Sequence, residues 1–215
     1  MKTNKKKKIK MITDALKEIY PQVECALNYS QPYELLIAAR LSAQCTDKRV
    51  NIVTKELFNK FPTLESFAHA NIEDIEQIIK SCGLFHTKAR DIIGICDMLC
   101  FRFGGVIPSN MEDLLRLPGV GRKTANLILG DIFRLPAVVT DTHCIRISNR
   151  LGLVRSKNPL VVERELREIL EPGESNNFCH RLVRFGRDIC KAKNPKCNNC
   201  PLVNICVYKG YNNTA

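Results

Sequence analysis

The ten residues Leu117-Pro118-Gly119-Val120-Gly121-Arg122-Lys123-Thr124-Ala125-Asn126 bring two kinds of chemistry into one turn. Glycines at i and i+2, following a proline, make a tight connection between helices and let the main chain come close to a ligand. The amides that open the second helix point outward, at the positive end of its dipole, which is an anion site. Gly119, Val120, Gly121 and Arg122 are therefore expected to grip phosphate through the backbone, without reading base sequence. The same residues would also make a plain turn between two helices. Lys123 stands one step into the second helix. An ordinary lysine, with a pKa near ~10.4, is almost wholly charged at neutral pH. A helix N-terminus, the neighbouring Arg122 and partial desolvation all favour the free amine, and a free amine is a nucleophile.

Further on, Thr140-Asp141-Thr142-His143 opens another helix. Asp141 reads as its N-cap. Helix amides keep such a carboxylate ionised, so it can also accept protons and stabilise positive charge developing on a sugar. His143 either orients groups around Asp141 or is a satisfied structural histidine.

Near the C-terminus Cys190, Cys197, Cys200 and Cys206 follow the spacing C-x6-C-x2-C-x5-C. Four thiols so close together imply a metal site. Structural zinc prefers two short knuckles, and only one is present here. The longer intervals favour a [4Fe–4S] cluster held by four thiolates, with zinc the alternative. Between the first two cysteines, Lys191, Lys193 and Lys196 form either a phosphate-facing patch or a solvated loop.

The elements that must position these groups are helical. Hydrophobic periodicity predicts an all-α chain of about ten helices with short connections. The predicted segments are 9–19, 32–43, 47–61, 64–70, 72–81, 88–103, 111–117, 122–129, 142–151, 160–170 and 178–190. Caps are expected at Thr46, Asn71 and Ser109, and stops at Gly83, Gly130 and Gly152. Ala137–Thr140 is the only strand-like run. Composition changes after Gly130, from leucine- and isoleucine-rich to cysteine- and lysine-rich, which predicts two lobes. The run Lys5–Lys8 is expected to be a solvated tail.

The 215 residues carry a formal charge of +11 and a pI near 9.2. Such a balance favours a polyanion partner, nucleic acid before membrane. Eleven cysteines, with no apolar segment after Lys5–Lys8, predict a reducing compartment and no disulfides. No apolar run approaches the ~20 residues of a membrane span.

Taken together, Leu117–Asn126, Asp141-Thr142-His143 and the cysteine spacing resemble endonuclease III, the helix-hairpin-helix DNA glycosylase and AP lyase family. Leu41-Ser42-Ala43-Gln44-Cys45-Thr46-Asp47 matches the family's Leu-Ser-x-Gln-x-Thr-Asp motif, and Gly83-Leu84-Phe85-His86-Thr87-Lys88-Ala89 its Gly-Leu-aromatic-x-x-Lys-Ala motif. The resemblance covers nearly the whole chain. It implies two helical lobes flanking a DNA-binding cleft. One is a six-helix barrel over residues 25–135, with the helix-hairpin-helix at about 111–130. The other joins 1–24 to 136–215 and carries a [4Fe–4S] loop at 190–206.

The resemblance also implies a mechanism. An oxidised pyrimidine is flipped from duplex DNA, Lys123 attacks C1′, and Asp141 assists. β-Elimination through a Schiff base then cuts 3′ to the abasic site. Gln44 fills the gap left by the flipped base, Leu84 is a second wedge, and Asp47 is placed near the lesion. Cys45 sits where the family commonly has a small residue or threonine, and it puts a thiol near the DNA face. The partner is double-stranded DNA carrying an oxidised pyrimidine or an abasic site, bound by a monomer in a prokaryotic cytoplasm, at the nucleoid. Two alternatives are an adenine-mismatch glycosylase, which generally lacks the lysine, and a non-catalytic DNA-binding or redox-sensing iron–sulfur protein.

Overall fold

The computed structural model describes Lys2–Tyr208. Over these residues the chain is all-helical, with eleven α-helices, four short 3-10 segments and no strand. Ala137–Thr140 is extended and buried, but it pairs with no other strand; Ala137 N–H donates to Ser175 Oγ at 3.1 Å. No helix among the described residues is long and apolar enough to cross a membrane. The chain divides into two compact units, Cys25–Phe133 and the combination of Met1–Glu24 with Arg134–Ala215.

Cys25–Phe133 contains seven helices: α2 (Pro32–Leu41), α3 (Asp47–Lys60), α4 (Leu64–Ala68), α5 (Ile72–Ile79), α6 (Phe85–Arg102), α7 (Met111–Arg116) and α8 (Arg122–Asp131). Its core is built around α2, where Leu35, Leu36, Ile37, Ala38 and Leu41 are wholly buried. The α6 stripe of Ala89, Ile92, Ile95, Cys96 and Leu99, spaced at three and four residues, is buried as well. Thr46 caps α3 by accepting the Arg49 amide at 3.3 Å. The cap of α7 is Asn110, whose Oδ1 accepts the Asp113 amide at 2.9 Å, rather than the expected Ser109. The predicted stop at Gly130 also fails. That glycine is buried, and packing carries α8 past its helix cost of about 1 kcal/mol.

The other unit holds α1 (Lys2–Ile19), α9 (Thr142–Arg150), α10 (Pro159–Arg167) and α11 (Ser175–Asp188). The run Lys5–Lys8 is not a tail: α1 begins well before Ile9 and passes through it. Lysine is a good helix former, and the stripe Ile9, Ile12 and Leu16 anchors the turn that follows. Lys5 Nζ lies 3.5 Å from Glu165. Helix α1 packs on α11. There Arg181 Nε donates to the Tyr20 carbonyl at 3.0 Å, and Tyr20 Oη donates to Asp188 at 3.1 Å.

Candidate active site

The hairpin between α7 and α8 is fixed by Gly119. Its φ of +65° lies in the left-handed region that disfavours side chains. A Cβ there would run into Arg40 of α2 and Asp91 of α6. Those two form a half-shielded ion pair, with Arg40 Nε donating to Asp91 Oδ2 at 2.6 Å. Beside it, Gly94 of α6 makes room for Pro118. Gly121 differs from the sequence expectation. Its φ of −95° is open to any residue, and a Cβ there would meet nothing within 4 Å. Gly119 therefore serves the fold, whereas Gly121 leaves space on the outer side of the turn.

Val120 supports the turn from within. Its side chain is buried, and its amide donates to the Leu117 carbonyl at 3.2 Å. The first α-helical bond of α8 runs from the Ala125 amide to the Gly121 carbonyl at 2.9 Å. The amides of residues 122–124 thus precede the helical ladder, as an anion site requires. Arg122 and Lys123 are exposed. Lys123 is thus an exposed residue in the first turn of α8, not one enclosed by the fold.

Gln44 and Leu84 share an uncommon conformation. Both are non-glycine residues with positive φ, 55° and 49°, and both are exposed. Such backbone costs on the order of 1–3 kcal/mol per residue and persists only where its surroundings hold it. Leu84 is also the N-cap of α6, which therefore begins at Phe85, three residues before the predicted Lys88. Cys45, next to Gln44, is half-buried and lies beside the Cys82 thiol. Burial, then Cys45, pushes Cys82 up to about 11, so it is neutral at physiological pH. Asp47 opens α3 and sits close enough to Cys25 to perturb it.

In the other unit, Asp141 caps α9, with Oδ1 accepting the Cys144 amide at 2.7 Å. The cap thereby fixes one oxygen of the carboxylate. His143 Nδ1 lies 3.2 Å from Arg146 NH2, and a Cβ on Gly186 of α11 would collide with the His143 ring. Arg146 also donates to the Cys190 carbonyl at 3.0 Å. One turn later, Arg150 donates to the carbonyls of Lys191 at 2.7 Å and Ala192 at 3.0 Å, and lies 3.4 Å from Cys190 Sγ. Its guanidinium stacks 4.3 Å above the Tyr208 ring. One helix thus carries Asp141 at its head and braces the cysteine loop along its flank. Arg146 and Arg150 were not singled out from sequence. Their spacing of three and seven residues from His143, along one helix face, was the available signal.

Cys190, Cys197, Cys200 and Cys206 line one pocket, partly open to solvent, together with Arg150, Phe185 and Leu151. Among the described residues no three ligand-type side chains converge tightly enough to hold a single metal ion. Four thiols lining one pocket are the donor type that a [4Fe–4S] cluster uses. Burial, followed by the neighbouring cysteines, pushes Cys197 and Cys200 above the usual thiol range. The donor set therefore fits the group. Lys191, Lys193 and Lys196 are exposed on the loop between the ligands.

This all-helical chain, with its helix-hairpin-helix turn, matches the sequence model of the HhH-GPD superfamily base excision DNA repair proteins over residues 37–172. Endonuclease III of Synechocystis sp. is 42% identical over 204 residues, covering 94% of this chain and 93% of the relative. A solved non-covalent endonuclease III–DNA complex superposes with a TM-score of 0.90 at 43% identity, covering 94% of this chain and 95% of the other. A trapped endonuclease III–DNA covalent intermediate gives the same values. The chain belongs to the HhH-GPD superfamily and, within it, to the endonuclease III family of base-excision DNA glycosylases and AP lyases.

Proposed function

We propose that this glycosylase and lyase removes oxidised pyrimidines from duplex DNA and cuts the strand 3′ to the resulting abasic site, with Lys123 as nucleophile. The observation that carries the reading is the place of Lys123, an exposed amine in the first turn of α8, immediately after the Gly119–Gly121 turn. The uncapped amides of that turn take the DNA backbone and bring the sugar to the amine. Lys123 Nζ attacks C1′, the C1′–N bond breaks, and the base leaves with its bonding pair. The second oxygen of Asp141 takes up the proton that the amine loses and stabilises the cationic sugar. A proton passes to O4′ and the C1′–O4′ bond opens, giving the iminium; loss of its C2′ proton then expels the 3′ phosphate by β-elimination.

Gln44 and Leu84 occupy the gap left by the flipped base, and His143, Lys191, Lys193 and Lys196 contact the backbone. Cys190, Cys197, Cys200 and Cys206 hold a [4Fe–4S] cluster. Bound there, it supplies a charged structural clamp and a redox-active centre. The exposed Lys123 argues against the adenine-mismatch and non-catalytic readings. The enzyme is taken to act as a monomer in a prokaryotic cytoplasm.

Borohydride reduction in the presence of a duplex carrying an oxidised pyrimidine should trap a covalent protein–DNA species. Lys123→Gln should abolish it while leaving DNA binding within about threefold. A wild-type protein that gives no trapped species would sink the lyase reading.

A further inference from the structure

Lys88 is wholly buried, although lysine is among the residues least often found inside proteins. Its ammonium is satisfied by three main-chain carbonyls: Leu41 at 2.8 Å, Ala43 at 2.7 Å and Cys82 at 2.9 Å. An ammonium has three donors and no acceptor, so this set uses it completely. Two of the carbonyls lie just before Gln44 and the third lies two residues before Leu84. The peptide that carries the Ala43 carbonyl is the one whose orientation sets φ of Gln44. The Cys82 carbonyl likewise belongs to the peptide preceding Gly83, whose φ is +70°. The Lys88 amide donates in addition to the Leu84 carbonyl at 3.0 Å. The Lys88 ammonium thus holds the peptide that sets φ of Gln44 and the peptide that enters the Gly83–Leu84 turn, two turns that present exposed side chains.

We propose that Lys88 is a positioning residue for base displacement: its buried ammonium ties the Gln44 turn to the Leu84 turn, so that both side chains enter the duplex as one preset pair. This rests on the reading of Gln44 and Leu84 as the residues that fill the gap. A charge was needed at this place because three carbonyls gathered around one buried side chain require a strong multiple donor. A neutral side chain would leave them unpaired, and both turns would relax toward ordinary backbone. Lys88 acts through the Gln44 and Leu84 turns, and none of the carbonyls it bonds belongs to the hairpin that carries Lys123. Its loss should therefore spare chemistry on a substrate that needs no base displaced.

The test compares two substrates. Lys88→Met keeps the length of the side chain and removes its donors. On a duplex with an oxidised pyrimidine, kcat/KM should fall about 30- to 100-fold, the scale of a small misplacement. Borohydride trapping on single-stranded DNA with a ready-made abasic site should change less than about threefold. Lys88→Gln, which retains a donor group, should lie between the wild type and Lys88→Met on the duplex, and it serves in place of Lys88→Met if that variant does not fold. In a Gln44→Ala background, Lys88→Met should cost little more. Equal losses on both substrates, or no loss on the duplex, would overturn the proposal. If Gln44→Ala and Leu84→Ala themselves leave duplex cleavage intact, the wedge reading fails first. If they impair it and Lys88→Met does not, only the assignment of Lys88 fails.

Discussion

Arg150 and Cys190 meet across the flank of α9. The guanidinium lies 3.4 Å from Cys190 Sγ and donates to the next two carbonyls of the chain, while the Arg150 carbonyl accepts the Val207 amide at 3.1 Å. Both ends of the cysteine loop are therefore fastened to one residue, on the helix that Asp141 begins.

Arg150→Met removes the donors and keeps much of the apolar stem. The loss of these bonds should cost about 1–3 kcal/mol. The variant should also release iron faster under a chelator, read as decay of the broad visible absorption and as iron content. Unchanged iron retention would show that the cysteines alone hold the loop.

Asp141 combines a cap with a proposed catalytic role, and substitutions separate the two. Asparagine caps as well as aspartate, so Asp141→Asn should melt within a few tenths of a kcal/mol of the wild type, and Asp141→Ala about 1 kcal/mol lower. Both should lose about 10²- to 10⁴-fold in single-turnover base release. An asparagine variant that keeps full activity would leave the residue with capping alone.

The two hairpin glycines predict opposite outcomes. Gly119→Ala must accept positive φ and displace Arg40 or Asp91, so thermal unfolding should show a loss of about 2–3 kcal/mol. Gly121→Ala should leave stability within about 0.5 kcal/mol, because φ is ordinary and nothing lies near the new methyl. Its DNA affinity should nevertheless fall, by about three- to tenfold, since the methyl stands where a phosphate would approach. An unaltered affinity would place the backbone contact elsewhere.

Lys191, Lys193 and Lys196 test the phosphate patch through salt. Replacing all three by alanine should flatten the slope of log K against log[salt] by up to about 3 if each meets a phosphate, at roughly 0.9 per contact. A slope equal to that of the wild type would make the loop a solvated one.

Much of this protein was legible locally. Apolar spacing gave the helices, Thr46 and Asp141 declared their caps, and the cysteine spacing pointed to a metal loop. The errors also have local causes. Lys5–Lys8 looked like a tail because charge hides a good helix former, and Gly130 looked like a stop because its burial was invisible.

The sequence by itself determined which side chains are available and which turns hold them, because caps, glycines and periodicity act over a few residues. Only the tertiary structure decided how they are held. Lys88 reaches the Ala43 carbonyl from 45 residues away, and Arg150 reaches Lys191 from 41. Gly119 needs its lack of a side chain because Arg40 and Asp91, from two other helices, pass beneath it. The Lys88 and Arg150 contacts leave no mark in local patterning, since their partners are main-chain groups that every residue carries. Burial makes the Lys88 bonds strong, and it becomes visible only once the helices have packed.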